Sequence, residues 1–248
     1  MSEIAKPKQF HPVSAQPPLR WYFDPQVLEI EQRVLLDAGP QYVGHELMVP
    51  NIGDYHVIEW MDKARMLVRN EHGVELLSNI CRHRQATMLE GRGNAKNIVC
   101  PLHRWTYKTS GELIGAPHFP QNPCLHLNKT PLQNWNGLLF AGKRDVAKDL
   151  ANMPAFEEID FSRYMLDRVE IDEYDFNWKT FIEVYQEDYH VVPFHPGLGQ
   201  FVDCDNLQWT FGEHFSVQTV GINNALKKPG SPVYGKCAEQ VLRYNNAK

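Results

Sequence analysis

The sequence predicts an α+β protein: a short N-terminal helix, then an antiparallel β domain of about a hundred residues, then a smaller mixed domain. Three observations predict it. Short apolar runs separated by turn residues fill about 41–143. A polar connector from Arg144 to Asn152, ending at Pro154, interrupts that pattern. Behind it, a helical pattern over 177–189 lies between two alternating segments. The divisions are 1–40 for an arm and helix, 41–150 for the β domain and 155–248 for the last domain.

Residues 1 to about 24 are rich in proline and aromatics (Pro12, Pro17, Pro18, Trp21, Tyr22, Phe23) and read as an extended arm. Asp24-Pro25 is a helix start, with a capping carboxylate and proline at the first helical position. Leu28, Ile30, Val34 and Leu35 give that helix an apolar face until Gly39-Pro40 stops it. Strands are expected at Glu46–Val49, His56–Trp60, Arg65–Arg69, Val74–Leu77, Asn97–Val99 and Gly137–Gly142. Asn70-Glu71-His72-Gly73 is a hairpin turn, and Glu90–Asn94 a glycine-rich reversal. In the last domain Tyr164–Phe176 alternates like a strand and Asn177–Tyr189 reads as a helix. Leu207–Ile222 reads as strand, and the final 25 residues are polar.

Of the 248 residues 43% are hydrophobic and 22% charged, and the formal net charge is −5. That balance favours neither nucleic acid nor an anionic membrane surface as a partner. No apolar run approaches the roughly 20 residues needed to cross a bilayer, and the N-terminus has no secretory pattern. Cytoplasm is the expected compartment. Five cysteines are too few and too scattered for a disulfide scaffold. Cys124, Cys204 and Cys237 have no spacing partners, whereas Cys81 and Cys100 each have a histidine close behind.

The decisive segment is Cys81-Arg82-His83, sixteen intervening residues, then Cys100-Pro101-Leu102-His103. A [2Fe–2S] cluster with mixed ligands needs two thiolates on one iron and two imidazoles on the other. Two loops, each offering one sulfur and one nitrogen, meet that demand. A structural zinc site uses the same atoms but pairs them as C-x₂₋₄-C and H-x₃₋₅-H, which these loops do not. Trp105 and Tyr107 are placed to shield the cluster, and a tyrosine hydroxyl can donate to a sulfur. Imidazole ligation raises the potential to roughly −150 to +300 mV, which suits a relay to an oxygen-activating centre.

Cys81-Arg82-His83-Arg84, Gly91-Arg92-Gly93-Asn94 and Cys100-Pro101-Leu102-His103-Arg104-Trp105 resemble the Rieske domain of aromatic-ring-hydroxylating oxygenase α subunits. The resemblance covers about residues 20–200. The family's second loop usually reads C-P-Y-H-G-W, so Leu102 and Arg104 depart from it while all four ligand positions stay in place.

A second constellation lies behind the boundary: Asn177-Trp178-Lys179, then Glu183, Glu187, Asp188, Tyr189, His190 and His195-Pro196. Two imidazoles plus a carboxylate form the 2-His-1-carboxylate arrangement that holds Fe(II) with open positions. A regular helix would point His190 and His195 about 140° apart. Pro193 between them is expected to break it, while Glu183, Glu187 and His190 share one helical face. The string resembles the family motif N-W-K…E-x-Y-H-x₄-H-P, which implies His190 and His195 as iron ligands. The same resemblance maps Glu187 to the acidic bridge that reaches a cluster histidine, here His103, of a neighbouring subunit in a trimer. Where many relatives have asparagine beside the iron, this chain has Glu183. The other histidines (His11, His45, His56, His72, His118, His126, His214) lack paired spacing and read as surface or packing residues.

The resemblance implies a helix-grip (START-like) catalytic domain, and a third carboxylate ligand far downstream. The chain stops at Lys248, short of that point, so the domain is expected to be incomplete; Asp203, Asp205 and Glu213 have no spacing that recommends them. It further implies an oxygenase that takes electrons from a separate NAD(P)H-dependent reductase, directly or through a ferredoxin, and hydroxylates an aromatic or other small organic substrate with O₂. No dinucleotide-binding fingerprint occurs here. The alternative is a Rieske ferredoxin-like electron carrier.

Overall fold

The computed structural model describes residues 17–154, 159–161, 164–188, 190–195, 197–198 and 202–222, of which 202–206 and 220–222 are described by backbone alone. The arm before residue 17 and the polar tail after 222 lie outside the described residues, as do Cys237 and His11. Leu19–Tyr22 is a 3₁₀ turn, not extended chain. α1, Pro25–Glu31, starts as its sequence demands, with the Asp24 carboxylate accepting from the Gln26 amide at 2.9 Å. It runs on into a π turn over Gln32–Leu36, and neither turn nor helix buries a residue.

The β region is built from three antiparallel sheets. β1 (Gln41–His45) pairs with β11 (Leu138–Ala141), which pairs with β10 (Leu132–Trp135). β2 (Asp54–Val57), β3 (Arg65–Asn70), β4 (Gly73–Ser78), β5 (Arg92–Asn94) and β9 (Lys129–Thr130) form a five-stranded sheet in the order β5-β2-β3-β4-β9. β6 (Asn97–Val99), β7 (Thr106–Lys108) and β8 (Leu113–Gly115) form the third. The run Met66-Leu67-Val68 looks too apolar for a half-exposed strand, and the reason is that both faces of β3 are covered. Met66 and Val68 enter one core with Leu77, Ile98, Trp105 and Tyr107. Leu67 enters the other with Val43, Ile58, Leu76 and Leu139. Side-chain alternation along a strand produces this division, and each fully buried side chain contributes about 1.5–3 kcal/mol.

Three expectations for this region are corrected. Glu46–Met48 is a 3₁₀ turn, because His45 Nδ1 captures the Leu47 amide at 3.0 Å and the Glu46 amide goes to Gly137 O. The strand at 56 ends at Val57 and is followed by a third 3₁₀ turn, Glu59–Met61, with Asp62 left-handed. Arg92–Asn94 is an edge strand in register with Asp54–His56, not a free reversal. Gly93 belongs there because an added Cβ would lie 2.8 Å from Tyr55 Oη.

α2 (Val146–Asp149) lies within the polar connector and is capped by the Asp145 carboxylate. Tyr164–Phe176 makes no ladder among the described residues; its Leu166 packs on the Leu67 core. α3 (Trp178–Tyr185) is capped by Asn177 and ends at Gln186, so the helical face expected for Glu183, Glu187 and His190 is broken. α4 (Val191–Phe194) follows. The single strand expected over 207–222 is a hairpin: β12 (Val202–Phe211) and β13 (Ser216–Ile222) reverse at Gly212–Phe215.

One buried polar residue organises the loop that leaves β4. Asn79 is fully buried; its Nδ2 donates to Lys63 O at 2.9 Å and Leu89 O at 2.8 Å, and its Oδ1 accepts from the Leu89 amide at 2.9 Å. Both ends of the 79–89 loop are thereby tied to one side chain. Asn79→Ala strands these backbone groups away from water and is expected to cost about 3 kcal/mol, measured by denaturant unfolding. A loss below about 0.5 kcal/mol would show that the loop closes without it.

Candidate metal centres

The two Cys–His loops are closed in the same way. In the first, the Cys81 amide donates to Ala86 O at 2.9 Å and the Gln85 amide to Cys81 O at 3.0 Å. In the second, the Cys100 amide donates to Trp105 O at 2.8 Å and the Arg104 amide to Cys100 O at 3.0 Å. Each turn passes through a left-handed residue at its fifth position, Gln85 at φ 57° and Arg104 at φ 61°. Glycine is the residue that adopts this conformation without strain, and Arg104 stands where the related loops carry it. Arg104→Gly is expected to relieve about 1–2 kcal/mol of strain against about 0.5–1 kcal/mol of chain entropy. A small net stabilisation in thermal unfolding results; destabilisation would mean that the guanidinium holds the loop.

These turns bury the two expected thiols, leave His83 half-buried and leave His103 exposed at the surface. Cys81 and Cys100 are 1% and 2% exposed, and both are free thiols. The His83 and His103 rings meet edge-on, centroids 4.7 Å apart. His83 lies flat on Trp105 at 4.8 Å, and Phe119 stands edge-on to both rings. The Arg82 amide donates to Tyr107 Oη at 3.2 Å, which directs the hydroxyl hydrogen toward Cys81 Sγ at 3.4 Å. Burial first, and then the bond to Cys81, push the Tyr107 hydroxyl up, so it remains a donor. Burial first, then the His103 ring and Arg84, hold His83 below the ordinary histidine range, leaving a neutral imidazole. Its Nδ1 is sealed from solvent, with no partner among the described residues.

A buried nitrogen with no partner among the described residues, on a turn shared with a sealed thiol and edge-on to a second imidazole, is what a mixed-ligand cluster would require. Zinc fits less well. Structural zinc pairs its ligands as C-x₂₋₄-C and H-x₃₋₅-H, whereas each loop here offers one sulfur and one nitrogen, which suits the mixed ligands of a di-iron unit.

The second constellation is partly assembled. His190 caps the start of α4 and His195 its end. The short helix brings the two rings to 5.5 Å, at 81° to each other. Glu187 Oε1 lies 2.5 Å from His190 Nδ1, and its Oε2 accepts the His190 amide at 3.3 Å. A carboxylate in that place fixes the tautomer and leaves Nε2 free to ligate. Asp188 is only 6% exposed, with Oδ2 unpartnered among the described residues. Tyr22 Oη donates to Glu183 Oε1. Glu213 lies on the surface beside His214, while the side chains of Asp203 and Asp205 lie outside the described residues. His126 Nδ1 accepts the Leu113 amide at 3.0 Å, which gives that histidine a role in the fold. Sequence reasoning missed Asn79 and Phe119. A polar residue leaving an apolar strand was the only available sign of the first, and nothing local marked the second.

No helix among the described residues is long and apolar enough to cross a membrane. Comparison with known proteins finds two family matches: the Rieske [2Fe-2S] domain over residues 39–135, and the ring hydroxylating alpha subunit (catalytic domain) over residues 159–245. The whole chain is 60% identical to a putrescine 2-hydroxylase of Ralstonia nicotianae, spanning 68% of that protein. It is 48% identical to a putrescine 2-hydroxylase of Bordetella bronchiseptica, spanning 60% of it. It also superposes on the quaternary ammonium Rieske monooxygenase CntA in complex with an inhibitor, with a TM-score of 0.66 at 24% identity. That match covers 80% of this chain and 59% of CntA, and it speaks to the fold alone. With the motif, the loop geometry and these relatives in agreement, the chain belongs to the Rieske non-haem iron oxygenase α-subunit family, whose metal centres are a Rieske [2Fe–2S] cluster and a mononuclear iron.

Proposed function

We propose that this chain is the oxygenase component of a Rieske hydroxylase acting on a small aliphatic amine. The observation that carries it is the pair of matched turns that bury Cys81 and Cys100 beside the crossed rings of His83 and His103. These four residues hold the cluster, and His190 and His195 hold the mononuclear iron. When bound, the cluster supplies single electrons at a raised potential, and the iron supplies O₂ activation at its open positions.

The chain's own residues do the rest. Tyr107 donates to Cys81, and Trp105 and Phe119 cover the His83 ring against water. Glu187 orients His190. By resemblance it also meets His103 of a neighbouring subunit, making it the residue through which electrons cross in a homotrimer. The electrons come from a separate NAD(P)H-dependent reductase. The amine substrate class is suggested by the two putrescine 2-hydroxylases.

The test is to reconstitute the protein anaerobically, count metals, and assay it with a cognate reductase, putrescine and ¹⁸O₂. Three irons to two acid-labile sulfides, with ¹⁸O in a hydroxylated diamine, is the expected result. Two irons to two sulfides, with no oxygenated product, would leave the electron-carrier alternative standing.

A further inference from the structure

We infer that Glu31, in α1 ahead of the β region, is a positioning residue for the His190–His195 segment. The inference rests on the proposed iron site. α3, which leads into that segment, buries none of its eight residues, and α1 buries none of its seven. Hydrophobic burial among the described residues therefore anchors neither helix strongly, and a polar clamp joins them.

The Glu31 carboxylate accepts from Lys179 Nζ at 2.9 and 2.8 Å, one contact to each oxygen, and from Trp178 Nε1 at 3.1 Å. The Glu31 and Lys179 side chains are each only 12% exposed. Tyr22 completes the clamp. Its carbonyl accepts from Asn177 Nδ2 at 3.1 Å, its hydroxyl donates to Glu183, and its ring lies 5.5 Å from Lys179 Nζ.

The placement has an electrostatic cause. Lys179 sits in the first turn of α3, where the helix dipole disfavours a cation. Glu31 answers both the lysine and the dipole, since an anion at a helix N-terminus is stabilising. An exposed pair would contribute little. Here two donor groups make three contacts to one largely buried carboxylate, so removing it leaves an ammonium and an indole N–H without their acceptor. The clamp also joins chain that enters the β region to chain that leaves it. It therefore fixes the start of α3 against α1, and His190 lies five residues beyond Tyr185, the last residue of α3.

The experiment titrates Fe(II) alone into anaerobically prepared full-chain protein with its cluster intact. Wild type is compared with Glu31→Gln and with the charge exchange Glu31→Lys/Lys179→Glu. In Glu31→Gln the Fe(II) dissociation constant is expected to rise by about tenfold or more. Iron should fall from three toward two per two sulfides, while the reduced-cluster paramagnetic signal stays unchanged. The charge exchange should restore Fe(II) affinity to within about threefold of wild type, as expected if the pairing and not the residue identity matters. Wild-type Fe(II) affinity in Glu31→Gln, whatever its melting temperature, overturns the inference; so does loss of the cluster together with the iron. If wild type itself takes up only two irons, the proposed mononuclear site fails and the inference falls with it. Three irons in both wild type and variant defeat the inference alone.

Discussion

Cys100→Ser is expected to strip the protein of its cluster, with iron and acid-labile sulfide at the proposed site falling to background and the visible colour lost. Serine is nearly isosteric with cysteine, so the second loop keeps its Cys100–Trp105 closure, and folding is not the first casualty. What is lost is a thiolate ligand. An alkoxide is not accessible near neutral pH, whereas a thiol is deprotonated outright when it coordinates a metal. The serine hydroxyl would also sit in a pocket that leaves Cys100 only 2% exposed, at a cost of about 1–3 kcal/mol if it finds no partner. Cys124→Ser is the control. That thiol is exposed and remote from the two loops in sequence, so the same chemical change should move stability by less than about 0.5 kcal/mol and leave the metal content alone. Full sulfide content in Cys100→Ser would remove the proposed ligand set and the electron path with it.

The second large effect falls on Glu187. Glu187→Gln keeps the shape of the side chain and removes its charge. With Glu187 Oε1 2.5 Å from His190 Nδ1, the carboxylate both orients the ring and places a negative charge beside it. A neutral amide does the first poorly and the second not at all. Iron affinity is expected to fall about 10–100-fold. Reoxidation of the reduced cluster by O₂ and substrate should slow by at least about 100-fold after Fe(II) is restored to saturation, because the residue also carries the proposed contact to the neighbouring His103. Stopped-flow absorbance follows the cluster directly, so binding and transfer are measured separately. Normal reoxidation at saturating Fe(II) would confine Glu187 to a second-sphere role in metal binding and remove it from the electron path.

How much of this was written locally can be judged from particular residues. The Asp24 cap, the Asn70–Gly73 hairpin, the strands at 65–69 and 74–77 and the two Cys–His loops follow from neighbours a few positions apart, and all were legible. The errors share a cause. Glu46–Met48 became a turn because His45 and Gly137 took its amides. Arg92–Asn94 became a strand because β2 offered it a free edge. α3 stopped at Gln186, short of the expected Tyr189, which returned Glu187 to His190 instead of leaving both on one helical face.

By itself, the order of residues determined which atoms are available to bind metal, because cysteine and histidine two or three positions apart share a turn whatever surrounds them. Only the tertiary structure decided that the two turns meet, that Trp105 and Phe119 close over His83, that Asn79 ties down the first loop, and that Glu31 pairs with Lys179, on the far side of the β region in sequence. Those contacts join positions far apart in the chain. Their free energy depends on burial and on pairing at closure, and no local pattern of residues encodes either.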